Sequence, residues 1–300
     1  MKKLKYKPIQ TFTVHDNKFF GEFYKAELNR YPGKAIIAFG GSTGTMLINR
    51  MLAEQFANAG IDVMIIEYHG QEGLPDDLLN QPVEVVGYAA EWLKNAGYKK
   101  IGLWGISMGT CLAVLAAANF PDFISCAVLV SPMHMVTQAE KKNDSGVREG
   151  SAFALYGKPF PYAKWNMDTK AFNRRYFRDC LKHRDLYSRG IIENAYRNNT
   201  EEAALLPVEK INGSVLFISG HQDGMCPASE SSVLMMDRLK ANEFQYPFEH
   251  FDYEHLGHFI LPFKPYISKL LIAERKYPKE CDAERAEAWK VTLSFLQNKW

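Results

Sequence analysis

The stretch GISMG places Ser107 between Gly105 and Gly109, with the apolar run KIGLWGI leading into it and the alanine-rich SMGTCLAVLAAANF leading out. A serine hydroxyl is a weak nucleophile until a base takes its proton and an acid orients that base. The pattern G-x-S-x-G is a weak signal by itself. At a strand-to-helix junction it becomes a nucleophile elbow, where flanking glycines let the chain turn sharply and the helix amides face the reacting centre. Asp223 follows the apolar run SVLFIS by a few residues, in GHQDGMCP, and His255 and His258 follow FEHFDYE, in HLGHFILP. The order Ser, acid, His is that of one class of catalytic triad. His258 follows a glycine and precedes the apolar anchor FILP, so it is the favoured base, and His255 is read as a loop residue. Asp223 is favoured over Asp252, which lies inside an alternating strand. His221 and Cys226 are read as a bystander and a packing residue. An oxyanion hole needs two amides. One is expected from Met108, and the other from the glycine loop GGSTGT at 40–45, where Gly41 and Ser42 are both candidates. That loop lacks the G-K-[ST] ending of a phosphate-binding loop.

These residues require particular elements beneath them. KAIIAFGG, IDVMIIEY, KIGLWGI, SCAVLVSP and SVLFIS read as strands buried on both faces. Between them lie helical stretches: one with Leu47, Met51, Leu52 and Phe56 on a side and Gly60 as its stop, one starting at Pro82 and capped near Gly97, and PASESSVLMMDRLK. Strand–helix alternation implies a mostly parallel sheet covered by helices, with candidate residues at the carboxyl ends of the strands. The expected fold is the α/β-hydrolase fold. An N-terminal β-hairpin is expected at about 6–28, with its turn near Asp16-Asn17. The alternation breaks from 133 to 206, which is too long for a simple loop. We expect an inserted helical cap there, and a core made of 1–132 and 207–300. A closing helix should bury Ala286, Trp289, Leu293 and Leu296.

Bulk composition narrows the function. The chain has 300 residues, 47% of them hydrophobic, and a formal net charge of +2, which gives no pull toward nucleic acid. Cys111, Cys126, Cys180, Cys226 and Cys281 are scattered without a C-x-x-C, which argues for a reduced cytoplasmic chain and against a zinc site or disulfide framework. MKKLKYKPIQTFTV has a basic start but no apolar run after it, so no signal peptide is read, and no run is long enough to span a bilayer. The chemistry calls for no metal and no cofactor.

The stretches PGKAIIAFGGSTG, FANAGIDVMIIEYHGQEGLPDDL, IGLWGISMGT, LLPVEKINGSVLFISGHQD, LGHFILPF and AWKVTLSFL resemble the C-terminal α/β-hydrolase domain of the acyl-CoA thioesterase and bile acid-CoA:amino acid N-acyltransferase family. The resemblance runs from about Tyr31 to the end and is weak across 135–200. It implies Ser107 as nucleophile, Asp223 as acid and His258 as base, acting on an acyl-CoA or another small acyl ester. Thioesterases of the family carry serine at the elbow and the amino-acid-conjugating member carries cysteine, so Ser107 points to hydrolysis. The animal enzymes have a β-sandwich domain before the hydrolase domain, whereas about thirty residues stand here. A general carboxylesterase, an acyltransferase and a non-catalytic sensor are the alternative readings. In the cap, Phe153, Tyr156, Phe160, Tyr162, Trp165, Phe172, Tyr176 and Phe177 are candidates for an acyl tunnel, with packing the default for most. Arg174, Arg175 and Arg178 are candidates for coenzyme A phosphates, with a solvated helix face the default.

Overall fold

A computed structural model describes residues 4–43, 45–141, 146–199 and 201–300. In chain order the elements are β1 (Gln10–Phe12), α1 (Val14–Asn17), β2 (Phe20–Tyr24), β3 (Lys34–Phe39), α2 (Met46–Ala59), β4 (Asp62–Glu67), β5 (Gln81–Pro82), α3 (Glu84–Asn95), β6 (Lys100–Ile106), α4 (Met108–Asn119) and β7 (Ile124–Val130). There follow β8 (Gln138–Lys141), β9 (Gly146–Ser151), β10 (Phe153–Leu155), β11 (Lys158–Pro159), α5 (Thr169–His183) and α6 (Arg189–Asn198). The chain closes with β12 (Ser214–Gly220), α7 (Ala228–Ala241), β13 (Phe248–Tyr253), α8 (Ile272–Lys276) and α9 (Pro278–Asn298).

The main sheet has the order β1-β2-β4-β3-β6-β7-β12-β13. From β4 to β13 its neighbours run parallel, while β1 and β2 join antiparallel at one edge. Every residue of β4 and β12 is buried, as continuous apolar strands covered on both faces must be. One face packs on α3, α4 and α7, with Leu103, Leu112 and Phe217 in its core, and the other on α2 and α9, with Trp104, Phe56 and Leu296. α4 is buried from Met108 to Ala117. A helix without a polar face fits only between a sheet and other elements, and this burial fixes the elbow that precedes it.

Several expectations are amended. The N-terminal pair turns through the short helix α1, capped by the Thr13 hydroxyl. Pro82 does not open α3. It lies in β5, parallel to β10, where Gln81 and Val83 donate to the carbonyls of Ala152 and Ala154, so the missing proline N–H falls where none is needed. The segment 133–206 is not purely helical: β8 pairs antiparallel with β9, and β10 pairs with β11 and β5. Its α5 and α6 are helices, α6 burying Ile191, Ile192, Ala195 and Tyr196. Residues 142–145 and 200 of this segment lie outside the described residues. α9 buries Cys281, Arg285, Ala288, Thr292, Phe295 and Leu296, whereas Ala286 is exposed. The buried Arg285 bonds Glu274 of α8, and this polar residue on the inner face displaced the apolar pattern.

Candidate active site

Ser107 sits between β6 and α4 with φ 58° and ψ −127°. A positive φ is costly for a residue with a Cβ, about 1–3 kcal/mol, and persists only when its surroundings impose it. Here the Ser107 amide donates to the Val130 carbonyl at 2.9 Å, and the Ser107 carbonyl accepts from the Thr110 amide at 2.8 Å and the Thr110 hydroxyl at 2.6 Å. The flanking glycines are sterically required. A Cβ on Gly105 would lie 2.5 Å from the Gly109 carbonyl oxygen, and one on Gly109 would lie 2.4 Å from that of Gly40. The helix following Ser107 begins at Met108, so its N-terminus, where the first amides have no carbonyl a turn earlier to bond, stands at the nucleophile.

The glycine loop is held against this elbow. A Cβ on Gly41 would meet the Ser107 Cβ at 2.9 Å and its Oγ at 3.4 Å. The Gly40 carbonyl accepts from the Tyr68 hydroxyl at 2.9 Å. Because a trans peptide directs its C=O and N–H to opposite sides, this bond turns the Gly41 amide away from Tyr68. Ser42 lines a cavity that Ser107 also lines, and Gly44 lies outside the described residues.

Asp223 and His258 come together at the carboxyl ends of β12 and β13. The Asp223 Oδ2 accepts from His258 Nδ1 at 2.8 Å, and Oδ1 accepts from the amides of Met225 at 2.8 Å and Cys226 at 2.9 Å. Their side chains are 0% and 2% exposed. The imidazole's backbone is tied in turn, its carbonyl accepting from the Ser131 hydroxyl at 2.7 Å. Gly220 permits the loops to meet, since a Cβ there would lie 2.2 Å from the Leu256 carbonyl oxygen. Residues of the segment 133–206 hold the acid loop: the amides of Ser188 and Arg189 donate to the Gly224 carbonyl, and the Ser188 hydroxyl to that of Met225.

The competing candidates have other partners. His255 bonds Glu284 of α9 through Nδ1 at 2.7 Å, which raises its pKa. Asp252 pairs with His221 at 2.7 Å and accepts from Ser219 and Ser229. Arg174 is exposed, Arg178 pairs with Asp179, and Arg175 reaches the Gly190 carbonyl. None of the three arginines is among the described residues lining the cavities at Ser107.

Two cavities meet at Ser107. One, of about 590 Å³, runs between α2 (Leu47, Met51) and the segment after His258 (Phe259, Leu261, Phe263), and His258 lines it. The other, of about 460 Å³, lies on the side of the segment 133–206 and is lined by Met108, Met133, Trp165, Phe172, Tyr176 and Ile191. Of the eight cap aromatics, Trp165, Phe172 and Tyr176 face it, while Phe153 is in the core and Tyr156 and Phe177 are exposed.

A family model described as "BAAT / Acyl-CoA thioester hydrolase C terminal" matches residues 83–299. The chain belongs to this BAAT / acyl-CoA thioester hydrolase family. Among curated relatives it is similar to acyl-coenzyme A thioesterase 6 of Mus musculus, 26% identical over 279 residues. That alignment takes in 89% of this chain and 60% of the mouse protein, so the chain spans less than two thirds of that relative. Among solved structures it is similar to an esterase of Pyrococcus furiosus, with 17% identity, a TM-score of 0.56, and coverage of 99% of this chain and 92% of the other. A thermostable carboxyl esterase from Bacillus coagulans gives 12% identity, a TM-score of 0.55 and 98% coverage of both chains. The fold of this family member is the α/β-hydrolase fold.

Two residues of the site escaped the sequence reading. The Cys226 thiol, read as packing, lines the same cavity as Ser107, and burial raises its pKa well above the usual thiol range, so it stays protonated. Its signal was its place three residues after Asp223. Glu140, at the end of β8, lines the cap-side cavity, where burial pushes its carboxyl up to about 7. No helix among the described residues is long and apolar enough to cross a membrane.

Proposed function

We propose that this protein is a serine hydrolase that cleaves a carboxylic thioester or ester through an acyl-enzyme. The observation that carries this reading is the strained Ser107 lining one cavity with a buried His258 whose Nδ1–H is already committed to Asp223. In the first step His258 Nε2 takes the Ser107 proton as Oγ bonds to the substrate carbonyl carbon. Asp223 fixes the tautomer and stabilises the imidazolium. The tetrahedral oxyanion accepts from the Met108 amide and, since Tyr68 turns the neighbouring peptide, from the Gly41 amide. A donor of this kind is worth about 3–4 kcal/mol of barrier. Collapse breaks the bond to the thiolate or alkoxide, which leaves with the proton from His258. Water, deprotonated by His258, then attacks the acyl-serine and releases the acid.

The segment 133–206 acts in this account as a cap that closes one side of the site and sets specificity. The free thiols among the described residues suit a reducing compartment, and we place the protein in the cytoplasm. The test is a panel of p-nitrophenyl esters and acyl-CoA thioesters of graded length, with and without an acceptor amine. Thioesters are expected to be hydrolysed with the higher kcat/KM, and Ser107→Ala to lose about 10⁴-fold or more. Higher turnover of oxygen esters would make it a general esterase, an amide product would make it an acyltransferase, and no turnover by the wild type would refute the reading.

A further inference from the structure

α5 has two faces of different chemistry. On its inner face Phe172 and Tyr176 line a cavity at Ser107, and Asp179 is buried. On its outer face Lys170, Arg174, Phe177, Arg178, Leu181 and Lys182 form one stripe at helical spacing, and all six are exposed. Phe177 is 59% exposed and Leu181 81%. Four residues apart on a helix, they are surface neighbours. Scattered single apolar residues on a surface need no explanation, but adjoining large ones mark a face that another apolar phase covers.

Positive charge concentrates on the same helix. Lys170, Arg174, Arg175, Arg178, Lys182 and Arg184 stand against one acid, Asp179, a net +5 in a chain whose total is +2. That acid is taken from the inner side by Arg175 and Arg178. Among the described residues no carboxylate pairs with Lys170, Arg174, Lys182 or Arg184. The same character continues past the end of the helix. The Arg275 guanidinium donates to the carbonyls of Arg184 and Leu270, which brings the exposed Tyr266–Leu270 turn with its Lys269 beside α5. Cations set around exposed apolar side chains fit a lipid layer with negatively charged headgroups. Lysine and arginine meet the phosphates while phenylalanine and leucine enter the acyl boundary. A nucleic acid would satisfy the charges and leave the apolar pair in water.

We propose that the outer face of α5 docks this protein on an anionic lipid surface. Phe177 and Leu181 insert at the headgroup boundary, and Lys170, Arg174, Arg178 and Lys182 lie on the headgroups. The helix then carries lipid on one face and the Ser107 cavity on the other, about 10–12 Å apart across its diameter. Docking of this kind is independent of the hydrolase reading.

Co-sedimentation with vesicles tests it without turnover. The probes are phosphatidylcholine vesicles with and without phosphatidylserine. Wild type is expected to bind the phosphatidylserine vesicles about 10-fold or more tightly, and to lose that margin as salt rises. Lys170→Glu with Lys182→Glu should bring binding down to the level of the neutral vesicles. Phe177→Ser with Leu181→Ser keeps every charge and should weaken binding about 10-fold or more. Circular dichroism melts close to wild type would show both variants folded, and the wild-type comparison holds whether or not they fold. Equal binding to the two vesicle types, or none to either, would overturn the inference. So would a folded Phe177→Ser, Leu181→Ser protein that binds as wild type does, since charge alone would then make the contact.

Discussion

Gly41 is the residue on which the geometry around Ser107 turns most tightly. Its Cα lies so close to the elbow that any side chain must displace Ser107 or the glycine loop, because the nearest obstacle is the Ser107 Cβ at 2.9 Å. Gly40 behind it is held by the Tyr68 hydroxyl, so the loop has little room to retreat. A misplacement of about 1 Å at a reacting centre costs on the order of 100-fold in rate. Gly41→Ala should therefore lower kcat by about 100-fold while thermal unfolding stays close to wild type, since the loop rim carries little core. Steady-state kinetics beside a melting curve checks this; an unchanged kcat would contradict the tight fit of Gly41 against the elbow. Ser42→Ala should leave kcat nearly intact, because only its side chain is removed.

At the scale of elements, a buried histidine joins the segment 133–206 to α7. His134, after β7, bonds the Ser231 hydroxyl of α7 at 2.8 Å, and its ring stacks edge-on against Tyr196 of α6 at 4.3 Å. Burial lowers its pKa to about 4. The unfolded chain takes a proton on this imidazole near pH 6.5, while the folded chain resists until about pH 4. Between those values the unfolded state binds more protons, so the neutral histidine's contribution is complete above pH 6.5 and is lost as pH falls toward 4. The loss amounts to roughly 3 kcal/mol. Urea unfolding at pH 7.5 and pH 4.5 should show this acid penalty in wild type and a much smaller one in His134→Gln. An equal penalty in both would mean that His134 titrates normally. Three elements of the segment 133–206 show why part of it was hard to read. α6 has an apolar face at Ile191, Ile192, Ala195 and Tyr196, a helical signal that lay in the sequence unused. β8 and β9 carry QAEK and GVREGS, which read as solvated charge. They form strands because each is the other's partner, a pairing that local pattern does not encode.

Over the whole molecule, the parallel sheet brings residues 107, 223 and 258 to one edge. Residues 107 and 223 could be placed at that edge because each follows a buried strand that reads as a short apolar run, whereas residue 258 follows the partly exposed, alternating edge strand β13. The α/β-hydrolase architecture was legible for the same reason. What the runs could not disclose was the division of space around Ser107. Glu140 lies in a stretch of lysines and acids and reads as surface, although the cap folds it over a cavity. The buried face of α9 lies one or two positions from the expected one because Arg285 pairs with Glu274 inside the protein. Composition predicts exposure for such a pair, and only the tertiary partner reverses it.

The central claim is that Ser107, His258 and Asp223 act as one unit, and covalent labelling measures it most directly. Wild type treated with a fluorophosphonate should gain one adduct by intact mass, located to Ser107 on peptide mapping. The labelling rate should fall by about 1,000-fold or more in His258→Ala and in Asp223→Asn, and vanish in Ser107→Ala. An adduct on Cys226 or elsewhere, or a rate indifferent to His258, would contradict the account.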